Sequence, residues 1–321
     1  MRPAAHCAQA LVERARHDPR IWVVDGDLAD SYGVDRFAQA HPERFLMAGI
    51  AEQTMVSTAA GMAACGLRPW VFSFAAFLCF RAYDQIRVGL AQTGVPVTLV
   101  GSHAGGCGGP NGKSHQALND IAAIGSLPNL DIWTPGCEAD TRFVVDAVLA
   151  RERPAYLRYP REPLGALPGE PAECRWIGAR ARFALVSCGL FTHVALDAAR
   201  RLRELDVDAG VIHLTRLAPF PAAEFSALLR DVDGLWVVDD HTRRGGLADL
   251  LHAEGFAVRD PVFSWPADWS GDFGPTEVLL KRHGLAADDI AARLAAELRG
   301  GGRAARSGAR AAREAAREAG R

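Results

Sequence analysis

Two rounds of strand and helix, separated by a stretch crowded with Pro and Gly, constrain this chain more than any single residue does. Between residues 1 and 163, apolar runs (Ile21-Trp22-Val23-Val24, Val95-Pro96-Val97-Thr98-Leu99-Val100, Leu130-Asp131-Ile132-Trp133) alternate with helical segments. That is the rhythm of strand and crossover helix in a parallel sheet. Residues 160–171 then read Pro-Arg-Glu-Pro-Leu-Gly-Ala-Leu-Pro-Gly-Glu-Pro, a linker composition, and a linker is expected over 164–180. A second alternation fills 181–298: strands at Phe183–Cys188, Ala209–Leu214 and Gly234–Val238, a helix at Val194–Leu205, and another helix entered through Gly245-Gly246-Leu247. The expected fold class is therefore α/β in two domains, 1–163 and 181–298. Residues 299–321 are biased to Ala, Arg and Gly and are expected to be disordered in isolation, with at most a weak helix over 309–319.

Composition removes several function classes. The formal charge of −2 conceals seven Arg and two Glu in residues 299–321, a local +5 that leaves −7 for the rest. A body of that sign is not built to neutralise phosphates along a nucleic acid. No apolar run approaches the roughly 18 to 20 residues that span a bilayer, and no signal-peptide hydrophobic region follows Met1–His6, so a cytoplasmic protein is expected. The seven cysteines are odd in number, scattered and never spaced as Cys-x-x-Cys, which suggests neither a disulfide framework nor a zinc site.

Two stretches carry chemistry. In Gly49-Ile50-Ala51-Glu52-Gln53 an acid stands at the mouth of a small-residue helix (Thr54 to Cys65), after the strand-like Arg44–Ala48. Taken alone, such a glutamate is most often a helix N-terminal carboxylate stabilised by the macrodipole. If Phe74, Phe77 and Phe80 wall it in, burial keeps it protonated or ready to share its proton, which suits holding a proton against a heterocyclic nitrogen. Aromatics three apart are more often core than ligand box, but these follow a strand at Trp70-Val71-Phe72. The second stretch is Gly101–Gln116, which opens directly after a strand and is too rich in glycine for a regular element, so its backbone must pass close to something. His103 and His115 flank it, at the end of a strand where open α/β sheets place ligands. No carboxylate or cysteine is spaced to make either histidine a metal ligand.

Gly-Ile-Ala-Glu-Gln at 49–53, Arg81-Ala82-Tyr83-Asp84-Gln85-Ile86-Arg87, and the loop closing on Ser114-His115-Gln116 together resemble the pyrimidine-binding half of thiamine-diphosphate enzymes, the transketolase superfamily. Segments 187–193, 214–221 and 237–247 resemble that family's C-terminal domain, so the likeness runs over residues 1 to about 298. The resemblance implies a thiamine-diphosphate pyrimidine domain followed by a transketolase C-terminal domain. It makes Glu52 the group that bonds N1′ of the aminopyrimidine, so that the 4′-imino group can take the C2 proton. Phe77 would stack on the pyrimidine, with Phe74 and Phe80 beside it and Asp27 near the cofactor and a subunit contact. His115 would bond the sugar's oxygens and move protons, while His103 helps hold the substrate. Arg2, Ser31 and Arg161 would grip a phosphate.

The resemblance also implies what lies elsewhere. Family members hold the diphosphate through Mg²⁺ bound by a Gly-Asp-Gly…Asn segment of an upstream domain, and Asp25-Gly26-Asp27 does not reproduce it. The implied protein is the C-terminal subunit of a split transketolase. Its N-terminal partner subunit would carry the diphosphate-binding domain and the Mg²⁺ ligands, in an α2β2 assembly acting on sugar phosphates. One position departs: Asn111 stands where the family has the aspartate that reads the C2 hydroxyl, which suggests a modified sugar, amino or deoxy, in a specialised pathway. Two other readings stay open, the β subunit of a 2-oxoacid dehydrogenase and a non-catalytic partner subunit. The synthase that condenses pyruvate with glyceraldehyde phosphate shares Arg158-Tyr159-Pro160-Arg161 and is a further variant.

Overall fold

The structure, a computed structural model, describes residues 2–106, 109–268 and 271–299. The tail from residue 300, including the helix expected over 309–319, lies outside the described residues. Twelve strands are described: β1 (Ile21–Asp25), β2 (Phe45–Met47), β3 (Arg68–Phe74), β4 (Thr98–Ser102), β5 (Asp131–Trp133), β6 (Ala155–Arg158), β7 (Cys174–Ile177), β8 (Phe183–Ser187), β9 (Ala209–Leu214), β10 (Arg216–Ala218), β11 (Gly234–Thr242) and β12 (Phe263–Trp265). They make two sheets, ordered β10-β5-β6-β4-β3-β1-β2 and β12-β11-β8-β9-β7. Every pairing in the first sheet is parallel except β10 with β5, and every pairing in the second is parallel except β7 with β9. Both domains are therefore α/β.

The central strands β3 and β4 are buried along their whole length, as strands covered by helices on both faces must be. β4 begins at Thr98 rather than Val95, because Pro96 has no N–H to give a ladder. It runs on to Ser102 because Gly101 admits the ring of Tyr156; a Cβ there would meet Tyr156 Cε2 at 2.6 Å. The helix Glu52–Ala64 packs its small side chains against β3. Close approach is possible on that helix because Ala59, Ala60 and Ala63 carry only methyl groups.

The two domains are stitched together. β10 comes from the second half of the sequence but closes the edge of the first sheet, and β7 begins inside the stretch read as linker. Across the seam Asp140 takes Arg175 at 2.7 Å and His213 at 3.2 Å, all three buried. Burial alone would raise the Asp140 carboxyl, but these partners outweigh it and hold the group below the usual carboxylate range. β11 also runs four residues beyond the expected Val238, which carries Asp239, Asp240 and His241 into the interior.

Candidate functional site

The parallel strands of the first sheet all end on one side, and the candidate residues collect there. Asp25 ends β1, Phe74 ends β3, Ser102 ends β4, and Arg161 follows β6. Glu52 enters from the turn after β2. Gly49 takes φ +74°, a conformation that costs glycine little, and this turns the chain so that Glu52 opens its helix.

Glu52 is 4 % exposed. Its carboxylate is held by contacts at the long end of the hydrogen-bond range: Ser73 Oγ at 3.4 Å and Arg81 Nη1 at 3.2 and 3.3 Å. The Arg81 guanidinium meanwhile lies over the face of Phe77, 3.8 Å from the ring centre. The acid's neighbours are therefore a hydroxyl and an arginine, and it is the arginine that meets the aromatic ring. Phe74 is buried and Phe77 half-buried, whereas Phe80 is 41 % exposed.

The two histidines meet the same aromatic pair. The His103 ring centre is 4.2 Å from that of Phe74, and His115 lies 5.6 Å from Phe74 and 5.0 Å from Phe77, edge to face. His103 occupies the left-handed region at φ +56°, uncommon for a residue with a side chain. Burial, then the positive charges of Arg161 and Arg2, push the His103 pKa down to about 3. Its ring is thus neutral near pH 7, able to donate from one nitrogen and accept at the other, with Nδ1 at 3.0 Å from Ser102 Oγ. His115 Nδ1 lies 2.9 Å from Ser114 Oγ.

Arg2 donates to the backbone oxygen of Ser31 at 3.0 Å, so these two candidates adjoin, and with Arg161 they form the positive surroundings that His103 feels. Glu52, Phe74, Phe77, His103, His115, Arg2, Ser31 and Arg161 therefore gather around one strand-end surface. Asp27, Asn111 and Phe80 point into solvent.

Three residues of this surface were not singled out from sequence. Arg81 was read only as part of a run. Ser73, fully buried, faces Glu52. Asp25, rather than Asp27, is the buried acid of its turn; one oxygen accepts from Leu28 N at 3.0 Å and the other has no partner among the described residues. Burial lifts its pKa to about 6, against the pull of the Leu28 N–H. The available signal was its place at the end of an otherwise apolar strand. Among the described residues no three His, Cys, Asp or Glu side chains converge as a metal site, and no helix is long and apolar enough to cross a membrane.

Comparison with known proteins places both halves. Residues 3–165 match the model of the transketolase pyrimidine binding domain, and residues 174–290 that of the transketolase C-terminal domain. A transketolase family protein of Sinorhizobium fredii is 36 % identical over 271 residues, 81 % of this chain and 77 % of its own length. The 1-deoxy-D-xylulose-5-phosphate synthase of Symbiobacterium thermophilum is 32 % identical over 301 residues; the match takes in 90 % of this chain but only 46 % of the synthase. Among solved structures, a split gene transketolase described as an inactive β4 tetramer superposes with a TM-score of 0.76 at 30 % identity, covering 89 % of this chain and 94 % of that one.

Proposed function

Because the chain belongs to the transketolase family, we propose that it is the C-terminal subunit of a two-chain, thiamine-diphosphate-dependent transketolase that moves a two-carbon ketol unit from a ketose phosphate to an aldose phosphate. The observation that carries this reading is the meeting of a buried acid, an aromatic pair and two histidines at the carboxyl ends of parallel strands. The solved relative, which is nearly all covered by this chain and is described as a split-gene protein, supports the subunit reading.

The residues fit the aminopyrimidine half of thiamine diphosphate. Glu52 is buried yet loosely held, as a carboxylate awaiting a better partner would be. It would hold a proton at N1′. Phe77 would give the ring a stacking face once Arg81 moves off it, with Phe74 beside it. When bound, the cofactor supplies the carbon nucleophile that attacks the ketose carbonyl. His103, neutral, would hold the donor's oxygens, and His115 would bond the hydroxyl and carbonyl oxygens and carry protons to and from them. Arg2, Ser31 and Arg161 would take the sugar phosphate. Asp27 and Asn111, both exposed here, would meet the partner subunit and the substrate's second carbon respectively. The diphosphate and its Mg²⁺ would be held by the N-terminal partner subunit, in an α2β2 assembly.

Calorimetry tests the subunit reading. The isolated chain should show no tight, stoichiometric binding of thiamine diphosphate with Mg²⁺, and adding a diphosphate-binding subunit should create both binding and ketol transfer. Tight binding to the chain alone would overturn it. The likeness to the synthase, together with the shared Arg158-Tyr159-Pro160-Arg161, supports a second reading: condensation of pyruvate with an aldehyde phosphate. Release of CO₂ from pyruvate by the reconstituted complex, without ketol transfer from a ketose, would favour it.

A further inference from the structure

We propose that Asp240 and Trp265 of the second domain are positioning residues for the loop that carries His103 and His115, a role that rests on the site reading above and extends it into the second domain. The loop's glycines provide the first argument. A Cβ on Gly105, which takes φ +80°, would land 1.9 Å from Asp240 Oδ2, and one on Gly106 would land 2.4 Å from Trp265 Cε2. A Cβ on Gly109 would meet the backbone oxygen of Gly274 at 1.9 Å. What the loop backbone passes close to is therefore the second domain, and these glycines are where it passes.

Hydrogen bonds then fix the approach. Asp240 Oδ1 accepts from Gly106 N at 2.9 Å and from Trp265 Nε1 at 2.7 Å. The Asp240 backbone oxygen accepts from Arg158 at 2.8 Å, and Arg158 pairs with Asp120 at 2.8 Å, so the Asp240 backbone is anchored from the first domain as well. On the far side of the loop Gln116, next to His115, donates to Gly106 O at 2.8 Å and to Asp272 O at 3.1 Å, and accepts from Asp272 N at 3.1 Å. Gly105 and Ala117 exchange backbone bonds at 3.0 and 3.1 Å. The path from Asp240 through Gly106 to Gln116 thus ends one residue from His115, and His103 lies two residues before Gly105. Side chains held by packed, hydrogen-bonded supports keep the narrow geometry that proton transfer needs.

The test uses the full chain with isotope-labelled histidine, whose His103 and His115 ring signals are assigned with single His→Gln variants, and the reconstituted complex for kinetics. Asp240→Ala should shift both ring signals. It should lower kcat for ketol transfer by roughly 10- to 100-fold, while cofactor C2-hydrogen exchange, which depends on Glu52, stays within about twofold of the parent. Asp240→Asn, which keeps an acceptor oxygen, should recover most of the kcat loss. Ring signals unmoved in folded Asp240→Ala, or exchange and kcat falling together, overturn the proposal. If Asp240→Ala does not fold, Trp265→Phe decides: it removes the N–H that Asp240 accepts and should shift both ring signals. Ring signals unmoved in folded Trp265→Phe overturn it. A parent complex without C2 exchange or ketol transfer would instead defeat the functional reading, and the ring signals would still report on the clamp.

Discussion

Glu52 and His115 are joined through Phe77, yet they are secured in different ways. His115 edges that ring from a loop that the second domain grips through Asp240, Trp265 and the backbone of Asp272. Glu52 reaches the ring only through Arg81, with contacts of 3.2 to 3.4 Å, and beside it Met47, Ile50 and Phe80 stand exposed at 47, 72 and 41 %. One end of the site is finished by the chain itself. The other is an acid on an apolar rim, and apolar side chains this exposed around a functional group mark a surface that another molecule covers. The difference suggests which end depends on a partner subunit and which on internal packing.

The largest effect should come from the loosely held end. Glu52→Gln keeps the side chain's shape but cannot hold the N1′ proton as the acid does, so C2-hydrogen exchange in the reconstituted complex should slow by roughly 10²- to 10⁴-fold. The His103 and His115 ring signals should move little, because the hydrogen bonds that fix their loop do not pass through Glu52. Exchange at the parent rate would remove Glu52 as the activator and, with it, the contrast between the two ends.

The clamped end should show itself in stability against pH. Burial raises the Asp240 carboxyl from its ordinary 3.8 to about 7, against Arg158, the Trp265 N–H and the Gly106 N–H. Asp239, on the same strand, adds to the rise. A raised folded-state pKa means that the folded chain keeps a proton the unfolded chain releases, so stability is greatest below pH 3.8 as far as this group is concerned, and falls as pH climbs to about 7. The full cost is at most about 4 kcal/mol. Asp240→Asn removes it, so the melting temperature of the variant minus that of the parent should rise between pH 4 and 7 and level off above. His103 works in the opposite sense, losing stability as pH drops below 6.5, and cancels in this difference. A flat difference would mean that Asp240 is not the buried proton holder described here.

Much of this was legible in sequence, and the remainder was hidden for identifiable reasons. Apolar runs gave β1, β3, β8 and β9 to within a few residues, because strands buried on both faces must be apolar throughout. The sequence likewise gathered Glu52, His103 and His115 through local motifs. Strand β10 escaped, since three residues that close a distant sheet edge carry no period. Asp239-Asp240-His241 fell outside the strand expected over Gly234–Val238, because a run of polar residues reads as exposed unless its partners are known, and Asp240's partners, Gly106 and Trp265, lie far off in sequence. Arg81 was in view but not understood: an exposed arginine 29 residues from an acid, on a separate helix, has no visible tie to it until the chain is folded.

The exposed rim gives the third test. Ile50→Arg places a charge on the most exposed apolar side chain beside Glu52, and burying that charge unpaired against another subunit should weaken assembly by roughly ten- to a hundredfold in Kd. The ring signals and melting temperature of the chain alone should stay near those of the parent, since Ile50 is not part of its core. Assembly at unchanged affinity would show that the rim is not covered, and that the Glu52 end is as self-sufficient as the other.

The smallest expected effect is at Asn111, which lies on the clamped loop but presents its side chain to solvent. An amide both donates and accepts, while a carboxylate only accepts, so Asn111→Asp changes which hydroxyl or amine at a sugar's second carbon finds a partner. Because water competes at an exposed position, the exchange should be worth about 1 kcal/mol, or roughly fivefold. The kcat/KM of the variant for xylulose 5-phosphate or ribose 5-phosphate, relative to the parent's own donor or acceptor, should rise by about that factor. The histidine ring signals serve as the control, since a change in them would mean that the loop has moved and that the shift in preference is not a direct contact. If the signals stay and neither ratio changes, Asn111 does not meet the substrate, and the argument for a modified sugar loses the one residue on which it stands.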